Sequence, residues 1–184
     1  PTNRPTQLPT PAPTSNPPPS TFYLQYIYGD TCLEPIGCID GSGFSLATCQ
    51  DNNNQLWRYD EDNKYILSVN CNDKCLTAEL ISSEWALTLD ECIISDTNTD
   101  GNIKYQEWIF DDIDSQRFIL KISDSSDQCI QIEYGQLIVS QCNYAASQRW
   151  AFIDAEASET DHQSSQNSTI IILIFVNVCL IFCV

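Results

Sequence analysis

Oxygen-bearing side chains between residues 96 and 107 could bind a metal ion. The segment reads DTNTDGNIKYQE, so acidic and amide residues alternate up to a glycine and a glutamate closes the twelfth position. This is the ligand spacing of an EF-hand calcium loop. The predicted ligands are Asp96, Asn98, Asp100, Asn102 through its backbone carbonyl, and Glu107. Calcium is the cofactor that this pattern suggests, and nothing else in the sequence requires a cofactor.

An ordinary β-loop explains the same segment, because long turns are rich in Asp, Asn and Gly. The flanking helices of an EF-hand are not predicted, since Glu91, Cys92 and Ser95 occupy positions that should be apolar on the incoming helix. Glu107 is the weakest of the five ligands because it is also the middle residue of a Gln-x-Trp sequence. Both interpretations of the loop remain open at this point.

The other reactive side chains form no catalytic pattern. The single histidine, His162, lies outside the predicted folded region, and the sequence contains neither Gly-x-Ser-x-Gly nor a phosphate-binding loop. Neighbouring carboxylates are numerous, but with 25 acidic residues in 184 such pairs are expected on a solvated surface. The sequence therefore predicts a binding protein and not an enzyme.

Charge and cysteine content restrict the partners and the compartment. A formal net charge of -17 repels the phosphates of nucleic acid, which is therefore not expected as a partner. The chain has 10 cysteines and no Cys-x-x-Cys pair, which favours disulfides over a zinc site. Disulfides persist in oxidising compartments, so we expect an extracellular protein.

Composition divides the chain into four segments. Residues 1–21 form a Pro/Thr-rich linker, 22–154 the folded domain, 155–169 a polar spacer and 170–184 a hydrophobic tail. Such a linker is typical of a spacer that follows an upstream domain, although a plain disordered terminus has the same composition. The chain starts at Pro1, so we expect either a removed signal peptide or a longer protein.

The hydrophobic tail predicts attachment to a membrane. As a helix, the fifteen residues of this tail, apolar except for Asn177, span about 22 Å, less than the ~30 Å hydrocarbon core. Small residues around Ala157 and Ser158, followed by the polar spacer and the tail, resemble a GPI-attachment signal. A short transmembrane anchor is the alternative. The expected location is the cell surface in both cases.

Short apolar runs separated by Asp, Asn, Gly and Ser clusters predict an all-β domain between residues 22 and 154. Three repeats in this region share a cysteine followed by Leu or Ile, a second cysteine, and Gln-x-Trp. They contain Cys32, Cys49 and Trp57; Cys75, Cys92 and Trp108; and Cys129, Cys142 and Trp150. Units of this size cannot bury a core individually, so we expect them to share one around a pseudo-threefold axis, with the three tryptophans buried.

This pattern resembles the ricin B-type lectin domain, a β-trefoil with Gln-x-Trp repeats, over nearly all of residues 22–154. The resemblance implies one disulfide in each repeat. The implied pairs are Cys32–Cys49, Cys75–Cys92 and Cys129–Cys142. Cys38 and Cys71 then remain in the domain, and we expect them to pair because an odd exposed thiol is disfavoured outside the cell.

The resemblance also implies a sugar site in each repeat. Its parts are an acidic residue two positions after the first cysteine, an aromatic ring two before the second, and an Asn before the Gln. Repeat one has Glu34, Asn54 and Gln55, which are the predicted carbohydrate-binding residues, but Ala47 replaces the ring. The other repeats are degenerate at these positions, with Thr77, Asp90 and Tyr105 in repeat two and Gln131, Ser140 and Ser147 in repeat three.

The preferred function is therefore a carbohydrate-binding module whose partners are glycans or glycoproteins. Phe44, Trp85 and Tyr134 could stack on a sugar instead of the missing ring, although such aromatics more often pack in the protein. The alternative is a structural or protein-binding trefoil, with or without calcium, whose sugar sites have decayed.

Overall fold

The computed structural model describes residues 18–93, 103–123 and 127–155. These residues form β-strands and two short 3-10 helices, which confirms the all-β prediction. The elements are β1 (Phe22–Tyr26), β2 (Thr31–Pro35), β3 (Phe44–Thr48), η1 (Asn53–Gln55), β4 (Leu56–Asp60), β5 (Tyr65–Ser68), β6 (Lys74–Ile81), β7 (Glu84–Asp90), β8 (Ile103–Tyr105), β9 (Trp108–Asp112), β10 (Phe118–Ile122), β11 (Gln128–Glu133), β12 (Gln136–Gln141), η2 (Ala146–Gln148) and β13 (Arg149–Asp154).

Six of the strands form a closed antiparallel barrel. Strand β1 pairs with β13 and β4, β4 pairs with β5, and β10 pairs with both β13 and β9. The ring closes between β5 and β9 through a bridge between Tyr65 and Glu107. There the Trp108 amide donates to the Lys64 carbonyl over 2.9 Å. Closure leaves no unpaired sheet edge in the barrel and encloses the apolar core.

Three hairpins, β2–β3, β6–β7 and β11–β12, pack against one another beside the barrel. Each repeat therefore contributes two barrel strands and one hairpin, which is the predicted β-trefoil. Strand β8 interrupts this symmetry, because it belongs to the insertion of repeat two and pairs with β6.

The repeated tryptophans occupy equivalent places in the shared core. Trp57, Trp108 and Trp150 are each 0% exposed. Each indole N–H donates to the carbonyl of the residue that follows the first cysteine of its repeat. The acceptors are Leu33 at 3.1 Å, Leu76 at 2.8 Å and Ile130 at 3.4 Å. This confirms the predicted pseudo-threefold core and shows how each ring satisfies its only polar atom.

All four predicted disulfides are present. Three of them, Cys32–Cys49, Cys75–Cys92 and Cys129–Cys142, connect the first and second cysteine of one repeat. The fourth, Cys38–Cys71, joins the β2–β3 loop to the turn between β5 and β6. It therefore links repeat one to repeat two, a connection that the repeat pattern does not provide.

Some predicted features lie outside the described residues. They are the loop ligands Asp96, Asn98, Asp100 and Asn102, most of the linker and the polar spacer, and the whole hydrophobic tail. Within the described ranges, no helix has the length and apolar character needed to cross a membrane.

Candidate functional site

A buried glutamine anchors the same point of each repeat. Gln55, Gln106 and Gln148 are at most 5% exposed. Each side-chain oxygen accepts from a backbone N–H just after the second cysteine: Gln50, Ile93 or Asn143. Each amide nitrogen donates to the carbonyl just before that cysteine: Thr48, Glu91 or Gln141. The glutamine thus holds the segment before Trp against the base of the hairpin, as expected for an amide that bonds at both ends.

The same glutamine also contacts the position where the family pattern places an acid. In repeat one this residue is Glu34 on β2, whose carboxylate accepts from Gln55 Nε2 at 3.0 Å. Its other oxygen accepts from the hydroxyl of Ser45, which lies directly opposite on β3, at 3.3 Å. A carboxylate offers about four lone-pair sites. Glu34 is half-buried and therefore keeps acceptor capacity for a ligand.

Asn54 is exposed on η1, next to Gln55. Its backbone N–H donates to the side chain of Asn52, which caps this short helix. Its side-chain oxygen accepts from Asn70 Nδ2 at 2.6 Å. The Asn54 NH2 group has no hydrogen-bond partner among the residues that the structure describes. The two N–H groups of this side-chain amide are therefore available to a ligand at the surface of repeat one.

Asn70 contributes to the candidate site by orienting Asn54, a role that the sequence pattern did not reveal. It belongs to the turn that carries Cys71, and the sulfur of Cys38 lies 4.0 Å from its carbonyl oxygen. The extra disulfide therefore holds Asn70 where it can orient Asn54. The cysteine beside Asn70 was the only sequence signal for this role, and it carried no information on where the asparagine would lie.

No aromatic ring occupies the expected stacking position of repeat one. Ala47 stands there, opposite Cys32. Phe44 packs on Trp57 with ring centroids 6.0 Å apart. It is therefore part of the hydrophobic core and does not replace the missing ring. The exposed apolar groups on this hairpin are Ile36 and Ile39, at 72% and 78% exposure. Repeat one therefore offers the polar groups of Glu34 and Asn54, and its exposed apolar surface is aliphatic rather than aromatic.

The corresponding groups of repeat two bond to one another. Gln106 Nε2 donates to the hydroxyl of Thr77 at 2.9 Å. Asp90 stands at the stacking position, is 4% exposed, and accepts from Lys104 Nζ at 2.8 Å. It also accepts from the Thr88 hydroxyl at 2.7 Å. A buried carboxylate with these partners has little capacity left for a ligand.

Lys104 reaches this position because the insertion brings β8 alongside β6. Burial acts to lower the pKa of Lys104, but the hydrogen bond and charge of Asp90 outweigh it and raise the pKa above its usual value. The ammonium group therefore stays charged and paired. Tyr105, which replaces the Asn of the family pattern, packs on Trp85 with ring centroids 5.3 Å apart. The protein's own side chains fill the site of repeat two.

In repeat three the corresponding side chains also bond to one another, but all of them are uncharged. The side-chain oxygen of Gln131 accepts from Ser140 Oγ at 2.7 Å and from Gln148 Nε2 at 3.1 Å. Gln131 and Ser147 stand where the family pattern has an acid and an Asn, so these two positions lack the groups that bind adjacent hydroxyls. Tyr134, in contrast to Phe44 and Trp85, is 98% exposed at the hairpin turn and does not pack. Repeat three thus presents a ring without the polar groups of the family's site.

Of the predicted metal ligands, only Glu107 is among the described residues. It is exposed, and its backbone carbonyl accepts from the Ser123 amide at 2.9 Å. Its side chain therefore lies on the surface at the exit of the insertion. In the described ranges, no group of three or more His, Cys, Asp or Glu residues is placed to hold a metal ion. Calcium binding remains a prediction from the twelve-residue pattern.

If the loop binds calcium, the melting temperature should be higher in millimolar calcium than in chelator. An ion bound only by the folded state stabilises it by RT ln(1 + [L]/Kd), about 2.7 kcal/mol at a hundredfold excess over Kd. An isolated extracellular-type loop is expected to have a Kd on the order of 10⁻⁴ to 10⁻³ M. The Asp96→Ala, Asp100→Ala double variant should fold but show no shift. Identical wild-type curves in both buffers would contradict calcium binding.

Comparison with known proteins agrees with the repeat architecture. The family model described as the ricin-type beta-trefoil lectin domain matches residues 20–150. No curated protein sequence matches the chain.

Several solved structures share the fold. The agglutinin of Rhizoctonia solani is 17% identical, with 78% of this chain and 99% of that chain covered and a TM-score of 0.58. The β-trefoil lectin of the Vibrio vulnificus hemolysin/cytolysin, solved with N-acetyl-D-lactosamine bound, is 21% identical, with coverages of 72% and 93% and a TM-score of 0.53. The hemolytic lectin CEL-III is 19% identical with a TM-score of 0.59; the match covers 74% of this chain but only 31% of that one. In that longer protein the trefoil corresponds to part of the chain.

Proposed function

Because the chain belongs to the ricin-type β-trefoil lectin family, we propose that its folded domain binds glycans or glycoproteins and catalyses no reaction. The family match spans all three repeats, and proteins named as lectins share the fold. Residues 22–154 would then act as a recognition module of a secreted or surface-displayed protein, with the Pro/Thr-rich linker as a spacer.

Repeat one is the proposed binding site. The observation that carries this choice is the pairing of the Glu34 carboxylate with Gln55, next to an exposed Asn54 whose NH2 group is unpaired among the described residues. In repeats two and three the corresponding side chains bond to one another. In repeat one Glu34 is also bonded, to Gln55 and Ser45. Its carboxylate nevertheless keeps lone pairs, and Asn54 keeps its NH2 donors, so a ligand can add bonds there without breaking any.

In this site Glu34 accepts hydrogen bonds from sugar hydroxyls and Asn54 donates to a neighbouring oxygen. Gln55 is 1% exposed, so its role is to hold the Glu34 carboxylate in place rather than to contact the sugar. Without a ring at Ala47, apolar contact with the sugar comes only from aliphatic surface. We therefore expect weak binding of a single sugar, with useful affinity only for an extended glycan or for several ligands displayed together.

A glycan array, read with and without calcium, tests this function. Binding to a defined set of glycans supports the lectin assignment. The absence of binding to every glycan under both conditions would favour the alternative of a structural or protein-binding trefoil. The feature that favours this alternative is the missing stacking ring at Ala47 in the best-preserved repeat.

We also propose that the chain is displayed on the cell surface through a lipid anchor attached near Ala157 and Ser158, in place of the polar residues and the hydrophobic tail that follow them. The support is the order of small residues, polar spacer and short apolar tail. Expression in a eukaryotic host should give a surface protein that a GPI-specific phospholipase releases. A product that stays bound after this treatment and retains residues 170–184 would instead indicate a transmembrane anchor.

A further inference from the structure

A cleft of about 440 Å³ lies away from the three repeat positions. It is formed by the turn between β9 and β10, by β13 and by the residue that follows β1. Its volume falls within the range of small-molecule sites. Ile27, Phe118 and Phe152 supply the apolar lining, and the two rings lie 4.4 Å apart between centroids. Phe152 is the more exposed of the two rings. It also packs on Phe22 and Phe110, so a ligand can contact only the part of the ring that lines the cleft.

The charged groups of the cleft leave one carboxylate uncompensated. Arg117 Nε donates to Asp114 Oδ2 at 2.7 Å, and its Nη2 also contacts that oxygen, so these two charges neutralise each other. Asp111, which precedes Asp112 and does not line the cleft, accepts from the Tyr144 hydroxyl at 2.7 Å. The side chain of Asp112 has no hydrogen bond and no ion pair within the part of the chain that the structure describes.

The surroundings of Asp112 disfavour its charge. Partial burial, followed by the charge of Asp111, raises the pKa of the Asp112 carboxyl above its usual value. A cation bound at this carboxylate would remove both penalties, because it replaces lost hydration and offsets the repulsion. The net charge of -17 also favours cationic ligands over anionic ones at long range.

We propose that this cleft binds an amino sugar, with its free ammonium group on Asp112 and its pyranose ring packed on Phe152. An ammonium supplies three donors to a carboxylate. The weakly polar faces of a pyranose suit an aromatic ring, and cations also interact favourably with such rings. That the amine is carried by a sugar rests on the proposed lectin function; the ammonium site itself rests on the cleft alone.

The probe is a glucosamine trisaccharide with free amines, compared with its fully N-acetylated counterpart by isothermal titration at about pH 6, where the amines are protonated. The two differ in charge while sharing the same pyranose backbone. We expect the free amine to bind at least about tenfold more tightly, and raised salt to weaken it. Equal affinity for both trisaccharides would overturn the proposal.

Asp112→Asn should remove this preference while leaving the circular dichroism spectrum unchanged. Glu84→Gln is the matched control, because it removes one exposed carboxylate on the β6–β7 hairpin, which takes no part in the cleft. It should change the affinity by no more than about twofold. A preference that survives in Asp112→Asn would place the amine elsewhere and refute the site.

Further comparisons separate this proposal from the site in repeat one and test its sugar part. Asn54→Ala should retain the amine preference even though it loses glycans bound at repeat one. If no neutral glycan binds but the amino sugar does, the repeat-one proposal fails and the cleft stands. Tighter binding of 1,4-diaminobutane than of the amino sugar, dependent on Asp112, would overturn the sugar part of the proposal.

Discussion

Replacement of Trp108 by alanine is expected to lower the free energy of unfolding by about 3–5 kcal/mol. The ring is 0% exposed, and the change removes its packing as well as its bond to the Leu76 carbonyl, which is left unpaired in the core. Trp57 and Trp150 have equivalent surroundings and should give losses of the same size. Urea-induced unfolding, followed by circular dichroism, measures each loss.

Trp85 provides the matched control within the same chain. It is half-buried and packs on Tyr105 at the edge of the core, outside the Gln-x-Trp pattern. Trp85→Ala should therefore be clearly less destabilising than any of the three repeat variants. If Trp85→Ala were as damaging as Trp108→Ala, or if the three repeat tryptophans differed widely, the equivalent roles assigned to the repeats would be wrong.

Asn54→Ala is expected to abolish detectable sugar binding at repeat one. The change removes the NH2 group that Asn54 offers to a ligand and leaves Asn70 Nδ2 without its acceptor. Without this donor, the ligand oxygen gives up its bonds to water and finds no partner in the site, a penalty of roughly 1–3 kcal/mol. Because the binding free energy of the site is already small, such a loss makes binding undetectable. Because Asn54 is exposed, the variant should unfold at nearly the wild-type temperature.

Ser147→Ala is the control for Asn54→Ala, since Ser147 holds the same place before the Gln of repeat three. It should bind glycans as the wild type does. Titration of both variants with the best glycan from an array decides the matter. Unchanged affinity in Asn54→Ala, or a loss shared equally by Ser147→Ala, would exclude repeat one as the principal site.

The trefoil and its disulfides could be predicted from the sequence because they depend on repetition. The three Gln-x-Trp sequences stand at fixed distances from paired cysteines, apart from the insertion in repeat two, and each pair closes a short loop within its own repeat. Burial of Trp57, Trp108 and Trp150 follows from the need of small repeats to share a core. The Cys38–Cys71 bond could be predicted only by elimination.

The contacts that decide which repeat can bind were not predictable in this way. The Lys104–Asp90 pair depends on how β8 docks on β6, and the Asn70–Asn54 bond joins two turns from different repeats. Both are contacts between polar side chains from different elements of the fold. Hydrophobic periodicity in the sequence carries no information about such contacts. The cleft at Asp112 likewise combines Ile27 with residues from segments 112–118 and 151–152, which are distant from it in the sequence.

In the proposed site, repeat one holds the sugar between Glu34 and Asn54. Its most direct test is an NMR titration of the ¹⁵N-labelled domain with the best array glycan, observing backbone and side-chain amides together. We expect the largest shifts at the Asn54 side-chain NH2 and at the backbone amides of Asn54 and Ser45. Shifts centred on Ser140 and Ser147, on Lys104, or absent from all amides at saturating glycan would contradict it.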